Sequence, residues 1–203
     1  MRGFGNFMKE IVNFLFEAGM LKKTPRTGYQ FLGTGSESVA EHSFRATVIA
    51  YVLAKKHKEA DIQKVVLMTL FHDFHEAKTG DHNYVNKRYV AVDEDSAVSD
   101  FAKNLPFGNE IVSLTNEFNS MRTLEAQLSQ DADQLDFILE LKRQQDIGNK
   151  AAAQWLHYSV KRLITDLAKN MAEEILNTDS SDWWFKKREE LWINGPDGIY
   201  KNK

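Results

Sequence analysis

Histidines and acids are spaced along this chain in a way that can hold a metal ion. They are Glu41-His42, then His72-Asp73-Phe74-His75-Glu76, then Asp81, then Asp131-Ala132-Asp133-Gln134-Leu135-Asp136. An early His, a His-Asp pair on a helix-like stretch and a distant Asp supply two imidazoles and two carboxylates. That mixed nitrogen and oxygen set suits Mn, Fe, Co, Ni or Zn better than Ca or Mg, which prefer all-oxygen shells. Four protein ligands on an ion that takes about six donors leave room for water and a substrate oxygen. Such an ion lowers the pKa of water and polarises a phosphoryl oxygen. His72 and Glu76 stand at i, i+4, and Asp73 and Glu76 at i, i+3, so these side chains neighbour one another on a helix. Glu76 thus offers a carboxylate beside the ion, free for proton transfer. His72 and Asp73 lie about 100° apart around a helix axis, so both reach one ion only if it sits at the helix edge. Asp131, Asp133 and Asp136 compete for the last ligand position, and periodicity does not separate them.

The elements that must position these residues read as helices. Only three prolines occur in 203 residues, and long stretches follow helical periodicity, which predicts an all-α, single-domain helical bundle with ligands pointing inward. Phe7, Ile11, Phe14, Leu15 and Ala18 form one apolar face of a first helix. Gly19 to Gly35 reads as a loop broken by Pro25, Gly28 and Gly33. Ser38-Val39-Ala40-Glu41 is a capping box, so His42 falls near the first turn of a helix running to about Lys56. Asp61 caps a third helix predicted to continue through about Lys78, with Gly80 as its stop. Residues 81–95 read as irregular, followed by helical pieces at 95–104 and 108–118. Thr123 to about Gln145 and Lys150 to about Asn177 each read as one long helix. A core over about residues 5–175 is expected, with a tail, 178–203, that carries Trp183, Trp184 and Trp192 and packs on it.

The bulk numbers narrow the partners. Net charge is −3, from 26 basic and 29 acidic side chains, and basic runs such as Lys55-Lys56-His57-Lys58 are short. These read as a solvated helix face, so no nucleic-acid partner is expected. The chain has no cysteine, which excludes disulfides, thiolate metal sites and cysteine nucleophiles and fits a reducing cytoplasm. Lys9, Glu10 and Glu17 interrupt the apolar N-terminal stretch, so neither a signal peptide nor a membrane span is expected.

Three strings together resemble the HD superfamily of metal-dependent phosphohydrolases. They are Ser38-Val39-Ala40-Glu41-His42-Ser43, His72-Asp73-x-x-Glu76-x-x-Thr79-Gly80-Asp81, and Asp131-Ala132-Asp133-Gln134-Leu135-Asp136. Within that superfamily the chain is similar to the bacterial 5′-deoxynucleotidases, whose loop before the first His also resembles Leu21-Lys22-Lys23-Thr24-Pro25-Arg26-Thr27-Gly28. The resemblance implies one divalent transition metal held by His42, His72, Asp73 and Asp133. It implies that Glu76, with Asp73, handles the attacking water or the leaving alkoxide. It further implies that Asp81 meets the sugar 3′-OH and that Lys23 or Arg26 holds the phosphate; His82, which follows Asp81 in the chain, is a candidate to line the same pocket. The relatives usually carry Arg where Lys23 stands, and a lysine offers a point charge in place of a bidentate fork. They are often homodimers, and the Phe-rich first helix or the Trp-rich tail can supply such an interface.

The implied activity is removal of the 5′-phosphate from (deoxy)nucleoside monophosphates, small-molecule substrates. Alternatives are hydrolysis of a guanosine alarmone or a cyclic nucleotide, or a metal- or nucleotide-binding regulatory module without turnover. Two-metal cyclic-nucleotide phosphodiesterases need further histidines before the last Asp, and here only His75 and His82 stand between Phe74 and Asp133. Alarmone hydrolases carry Glu-Asp where this chain has Glu76-Ala77. His75 matches no ligand position and reads as a surface or supporting residue, Asp136 as a support at i+3 from Asp133, and Trp155 as packing.

Overall fold

The computed structural model describes residues 2–185, 192, 193 and 195, with side chains from residue 7 onward. Among the described residues ten α-helices follow one another: α1 Arg2–Met20, α2 Tyr29–Leu32, α3 Val39–Lys56, α4 Ile62–Phe71, α5 Glu76–Thr79, α6 Glu94–Ala102, α7 Gly108–Ser120, α8 Leu124–Asp146, α9 Lys150–Ser159 and α10 Asp166–Asn177. Among the described residues there is no strand, only an isolated bridge between Pro25 and Ser38. The all-α expectation holds.

Local chemistry fixes most helix starts. Ser38 accepts from the Glu41 N–H at 3.2 Å, and the Glu41 carboxylate accepts from the Ser38 N–H at 2.7 Å, completing the capping box. Asp61, Asp93, Thr123, Asn149 and Thr165 each accept from the first turn of α4, α6, α8, α9 and α10. A cap of this kind stabilises a helix by about 1 kcal/mol.

The helices bury their apolar faces in three connected groups. Leu53, Val65, Leu128, Leu135, Ile138, Leu141 and Leu156 join α3, α4, α8 and α9. Phe14, Phe74, Val98, Phe101 and Ile111 join α1, α6 and α7 to the turn after α4. Met68, Leu114, Phe118 and Ala126 close α4 against α7 and α8. Helix α8 is the central strut, with Leu128, Ala132, Leu135, Ile138 and Leu141 all at 0 % exposure.

Two predicted helices are broken. The one expected to run from Asp61 through Lys78 stops at Phe71, and α5 begins afresh at Glu76. Between them the backbone tightens to i→i+3 bonds, Phe71 O to Phe74 N and Asp73 O to Glu76 N. Phe74 stacks on Phe14 with ring centroids 4.8 Å apart, a long-range contact that holds the turn. The helix expected over Lys150–Asn177 breaks after a 3-10 turn at Val160–Arg162. There Asp131, on α8, accepts from the N–H groups of Ile164 and Thr165 at 2.7 and 2.8 Å. A buried carboxylate collecting two amides removes them from the helix ladder, and Thr165 then caps α10. The expected loop at 19–35 also contains a short helix, α2. Gly80, at φ 75°, ends α5 and turns the chain toward Asp81; a side chain there would be strained.

The expectation that residues 178–203 pack on the body falls largely outside the described residues. Within them, the Ser180 N–H donates to Asp146, and the rings of Trp184, Phe185 and Trp192 cluster.

Candidate metal centre

Three segments converge where α3, the turn after α4 and the middle of α8 meet. The capping box starts α3 so that His42 comes one turn in, fully buried at 0 % exposure. The turn at 72–75 presents His72 and Asp73 together, with His72 Nε2 3.1 Å from Asp73 Oδ2. Asp133 comes from α8. His42 Nε2 lies 3.4 Å from His72 Nε2, 3.1 Å from Asp133 Oδ1 and 3.5 Å from Asp73 Oδ2. His72 Nε2 lies 3.1 Å from Asp73 Oδ2 and 3.8 Å from Asp133 Oδ1.

These separations test whether an ion fits. Donors about 2.1 Å from a transition metal stand about 3.0–3.4 Å apart in octahedral or tetrahedral arrangements. His42, His72 and Asp133 form a group whose donor atoms could hold one ion, and Asp73 Oδ2 lies 3.1 and 3.5 Å from the two imidazoles. Both imidazoles aim Nε2 inward because Nδ1 is engaged. His42 Nδ1 is 2.6 Å from Asp136 Oδ2, and His72 Nδ1 is 2.7 Å from the Thr69 carbonyl. Outer partners of this kind fix the tautomer and orientation of a ligating imidazole.

The electrostatics agree with the spacing. Burial works against charge on His72, yet Asp73 and Asp133 hold its pKa up to about 10. Burial and Arg26 oppose the charge on His42, but Asp133, Asp136 and Asp73 raise it well above the usual imidazole range. Asp73 and Asp133 resist burial and titrate well below the usual carboxylate range, through the same histidines. Without an ion, the neighbouring carboxylates favour the protonated form of both imidazoles. A divalent cation brings the same two charges to the same place.

Arg45 backs the cluster from the far side. It donates from Nε to Asp136 Oδ1 and from Nη2 to the Asp136 carbonyl, and it lies 3.5 Å from both Glu37 and Glu140. Sequence reasoning passed over Arg45, although its i, i+3 spacing from His42 on α3 placed it on the same side. Asp136 thus occupies the supporting position expected of it, bridging His42 to Arg45.

A cavity of about 830 Å³ opens beside the cluster and includes Asp73, Asp133, Glu76, Arg26, Asp81 and His82 in its lining. Glu76 is 7 % exposed, with Oε2 buried and unpartnered among the described residues. Burial first, then the charges of Asp73 and Asp81, push its carboxyl up to about 9 in the ion-free chain. Arg26 Nη1 reaches Asp73 Oδ2 at 3.3 Å. Lys23, the alternative phosphate holder, is exposed and lies outside the cavity lining, so Arg26 is the cation of that loop that faces the site. The loop twists at Pro25, where the bridge to Ser38 turns Arg26 inward while Lys23 stays on the preceding turn. Asp81 Oδ2 accepts from both the N–H and the hydroxyl of Thr27, tying the loop that carries Arg26 to the chain after α5. His75, expected at the surface or in support, is 8 % exposed and turns toward Glu94 at 3.8 Å. Asp131, one of the three competing acids, serves the break before α10 instead.

The model of the HD domain family matches residues 18–176. The chain belongs to the HD domain family. In sequence this HD domain is similar to the 5′-deoxynucleotidase HDDC2 of Dictyostelium discoideum, 31% identical over 163 residues, 72% of this chain and 86% of the relative. It is also similar to the protein of that name from Bos taurus, 27% identical over 179 residues, 80% of this chain and 86% of the relative. In structure it resembles a conserved hypothetical protein from Pyrococcus furiosus, with a TM-score of 0.71 at 28% identity, covering 82% of this chain and 99% of the other. The matched region holds every residue of the convergent cluster, from Arg26 to Asp136. Among the described residues no helix is long and apolar enough to cross a membrane.

Proposed function

We propose that this HD domain is a metal-dependent phosphohydrolase that removes the 5′-phosphate from deoxynucleoside monophosphates. The observation that carries the reading is the convergence of His42, His72 and Asp133 in a group able to hold an ion, with Asp73 against both imidazoles and Glu76 and Arg26 lining the cavity beside them. The deoxynucleotidase names of the relatives support the substrate class.

His42, His72, Asp73 and Asp133 would hold one divalent transition metal. Bound there, the ion supplies Lewis acidity toward a phosphoryl oxygen and a lowered pKa for water. Arg26 offers its guanidinium to the remaining phosphoryl oxygens, a planar fork suited to them. Water attacks phosphorus in line as the bond from phosphorus to O5′ breaks. Glu76 gives its proton to O5′ and regains one from the attacking water, and a carboxyl raised by burial is suited to that donation. Asp73, beside Arg26, helps orient the water. Both Thr27 bonds fall on Asp81 Oδ2, so Oδ1 is the oxygen available to a sugar 3′-OH, with His82 next to it in the lining.

The reading also places the enzyme in the cytoplasm as a homodimer. Phe44, Val48 and Tyr51, 72 %, 48 % and 50 % exposed along one side of α3, support self-association, as do Leu15 and Phe16 on α1.

The test is phosphate release from matched 5′-deoxyribo- and ribonucleotides by protein stripped of metal and reloaded with Mn, Co, Zn or Mg. Metal-dependent release from the deoxy series and little from the ribo series is expected. Equal release from both would remove the deoxyribose preference, and none from either would remove the phosphohydrolase reading.

A further inference from the structure

The cavity beside the metal centre has two unlike ends. One carries the charged groups already described. The other is lined by Phe31, Leu32, Phe137, Leu141, Trp155 and Tyr158, with Glu140 and Arg162 also in the lining. Phe137 and Trp155 stand with ring centroids 6.3 Å apart and planes at 43°, a tilted pair that leaves ring surface facing the cavity. Tyr158 is 64 % exposed at the mouth.

Helix α8 relates the two ends by a fixed distance. Asp133, Phe137 and Leu141 recur every four residues and line one face, about 6 Å apart per step at 1.5 Å per residue. A ligand with its phosphate at Asp133 therefore has its next rigid portion beside Phe137 and Trp155. Gln134, also in the lining, has a buried amide nitrogen with no acceptor among the described residues. A buried donor left unpaired is costly, and a ligand acceptor would satisfy it.

We infer that the aromatic arm formed by Phe137, Trp155 and Tyr158 receives the nucleobase by stacking. This rests on the reading that the charged end takes a phosphate monoester. The arm makes the nucleobase, beyond the sugar and phosphate, a determinant of substrate choice. Stacking on ring faces accepts every base, because each has a π-face, so the arm favours nucleotides over small sugar phosphates while discriminating weakly among bases. Trp155 is then a specificity residue as well as a packing residue, since it also lies against the core.

The experiment compares kcat/KM for deoxyadenosine 5′-monophosphate with that for 2-deoxyribose 5-phosphate, in metal-loaded native protein and in Trp155→Ala, Trp155→Phe and Tyr158→Ala. The nucleotide is expected to be favoured at least tenfold in the native protein. Trp155→Ala is expected to reduce that ratio about tenfold or more, chiefly through KM, as removal of one base–aromatic stack implies. Trp155→Phe keeps a ring and is expected to keep most of the preference. Tyr158→Ala, at an exposed position, tests the arm without disturbing the core and is expected to reduce the ratio severalfold. A ratio unchanged in both alanine variants would overturn the inference. Titration with deoxyadenosine, which lacks the phosphate, judges the arm independently. Quenching of indole emission that disappears in Trp155→Phe is expected, and its absence in the native protein would count against the arm. If native protein hydrolyses neither ester, the phosphohydrolase reading falls, and the quenching alone decides the arm.

Discussion

Asp136→Asn isolates the support behind the proposed metal centre. The Asp136 side chain is 1 % exposed and divides its two oxygens between His42 Nδ1 at 2.6 Å and Arg45 Nε. Both partners are donors, so the carboxylate matches both. An asparagine of the same shape turns its NH2 group toward one of them and sets two donors face to face. Its loss of charge also removes the pull that raises the basicity of His42. Replacing the outer partner of a ligating histidine typically costs 10–100-fold in metal affinity, or about 1.4–2.7 kcal/mol. Arg45 keeps Glu37 and Glu140 at 3.5 Å, so the fold should survive. Chelator competition with Co or Zn measures the affinity, and thermal unfolding of the metal-free variant checks the fold. At saturating metal most of the phosphatase activity should return. An affinity within about threefold of native, in a folded variant, would refute the assignment of His42 as a ligand oriented by Asp136.

Four further outcomes follow from the geometry. Arg26→Ala should lower kcat/KM on a nucleotide by about 10–100-fold, the loss of one charged hydrogen-bonding group, while Lys23→Ala stays within about threefold; steady-state kinetics of the pair decides which cation serves the phosphate. Asp131→Ala leaves two partly buried amides and the Thr165 hydroxyl without their acceptor. It should destabilise the chain by about 2–4 kcal/mol, lowering Tm by several degrees with metal affinity unchanged. Metal loading should release protons at neutral pH, because His42 and His72 titrate above 6.5 in the ion-free protein; calorimetry in buffers of different ionisation enthalpy counts them, and a count near zero would contradict the ligand set. The same raised histidines stabilise the ion-free fold fully below about pH 6.5, and that contribution is lost as pH rises toward 10. Glu76, raised from 4.5 to about 9, acts in the same direction. Thermal stability of metal-free protein should therefore fall between pH 6.5 and 9, more steeply than that of loaded protein.

What the sequence determined by itself was local or periodic. The capping box at Ser38 and Glu41 placed His42 within one turn of a helix start, because that motif closes over four residues. The apolar repeats identified the helices, and the cap at Asp61 marked where one of them begins. The strings around His42, His72 and Asp133 already resembled the HD superfamily, which the match over residues 18–176 bears out. The two broken helices were illegible because their breaks are made from a distance. Phe14 holds Phe74 across 60 residues, and Asp131 reaches Ile164 across 33. Arg26 and Lys23 differ little as neighbours in a loop, and only the folding of that loop onto α3 and Asp81 turns one inward. Asp131, Asp133 and Asp136 sit on a single helix, and each offers the same carboxylate. The packing of α8 between α3 and α10 turns Asp131 to the amides before α10, Asp133 to His42 Nε2 and Asp136 to His42 Nδ1. Helical rotation separates them in angle, and only the neighbour each angle meets decides what the acid does.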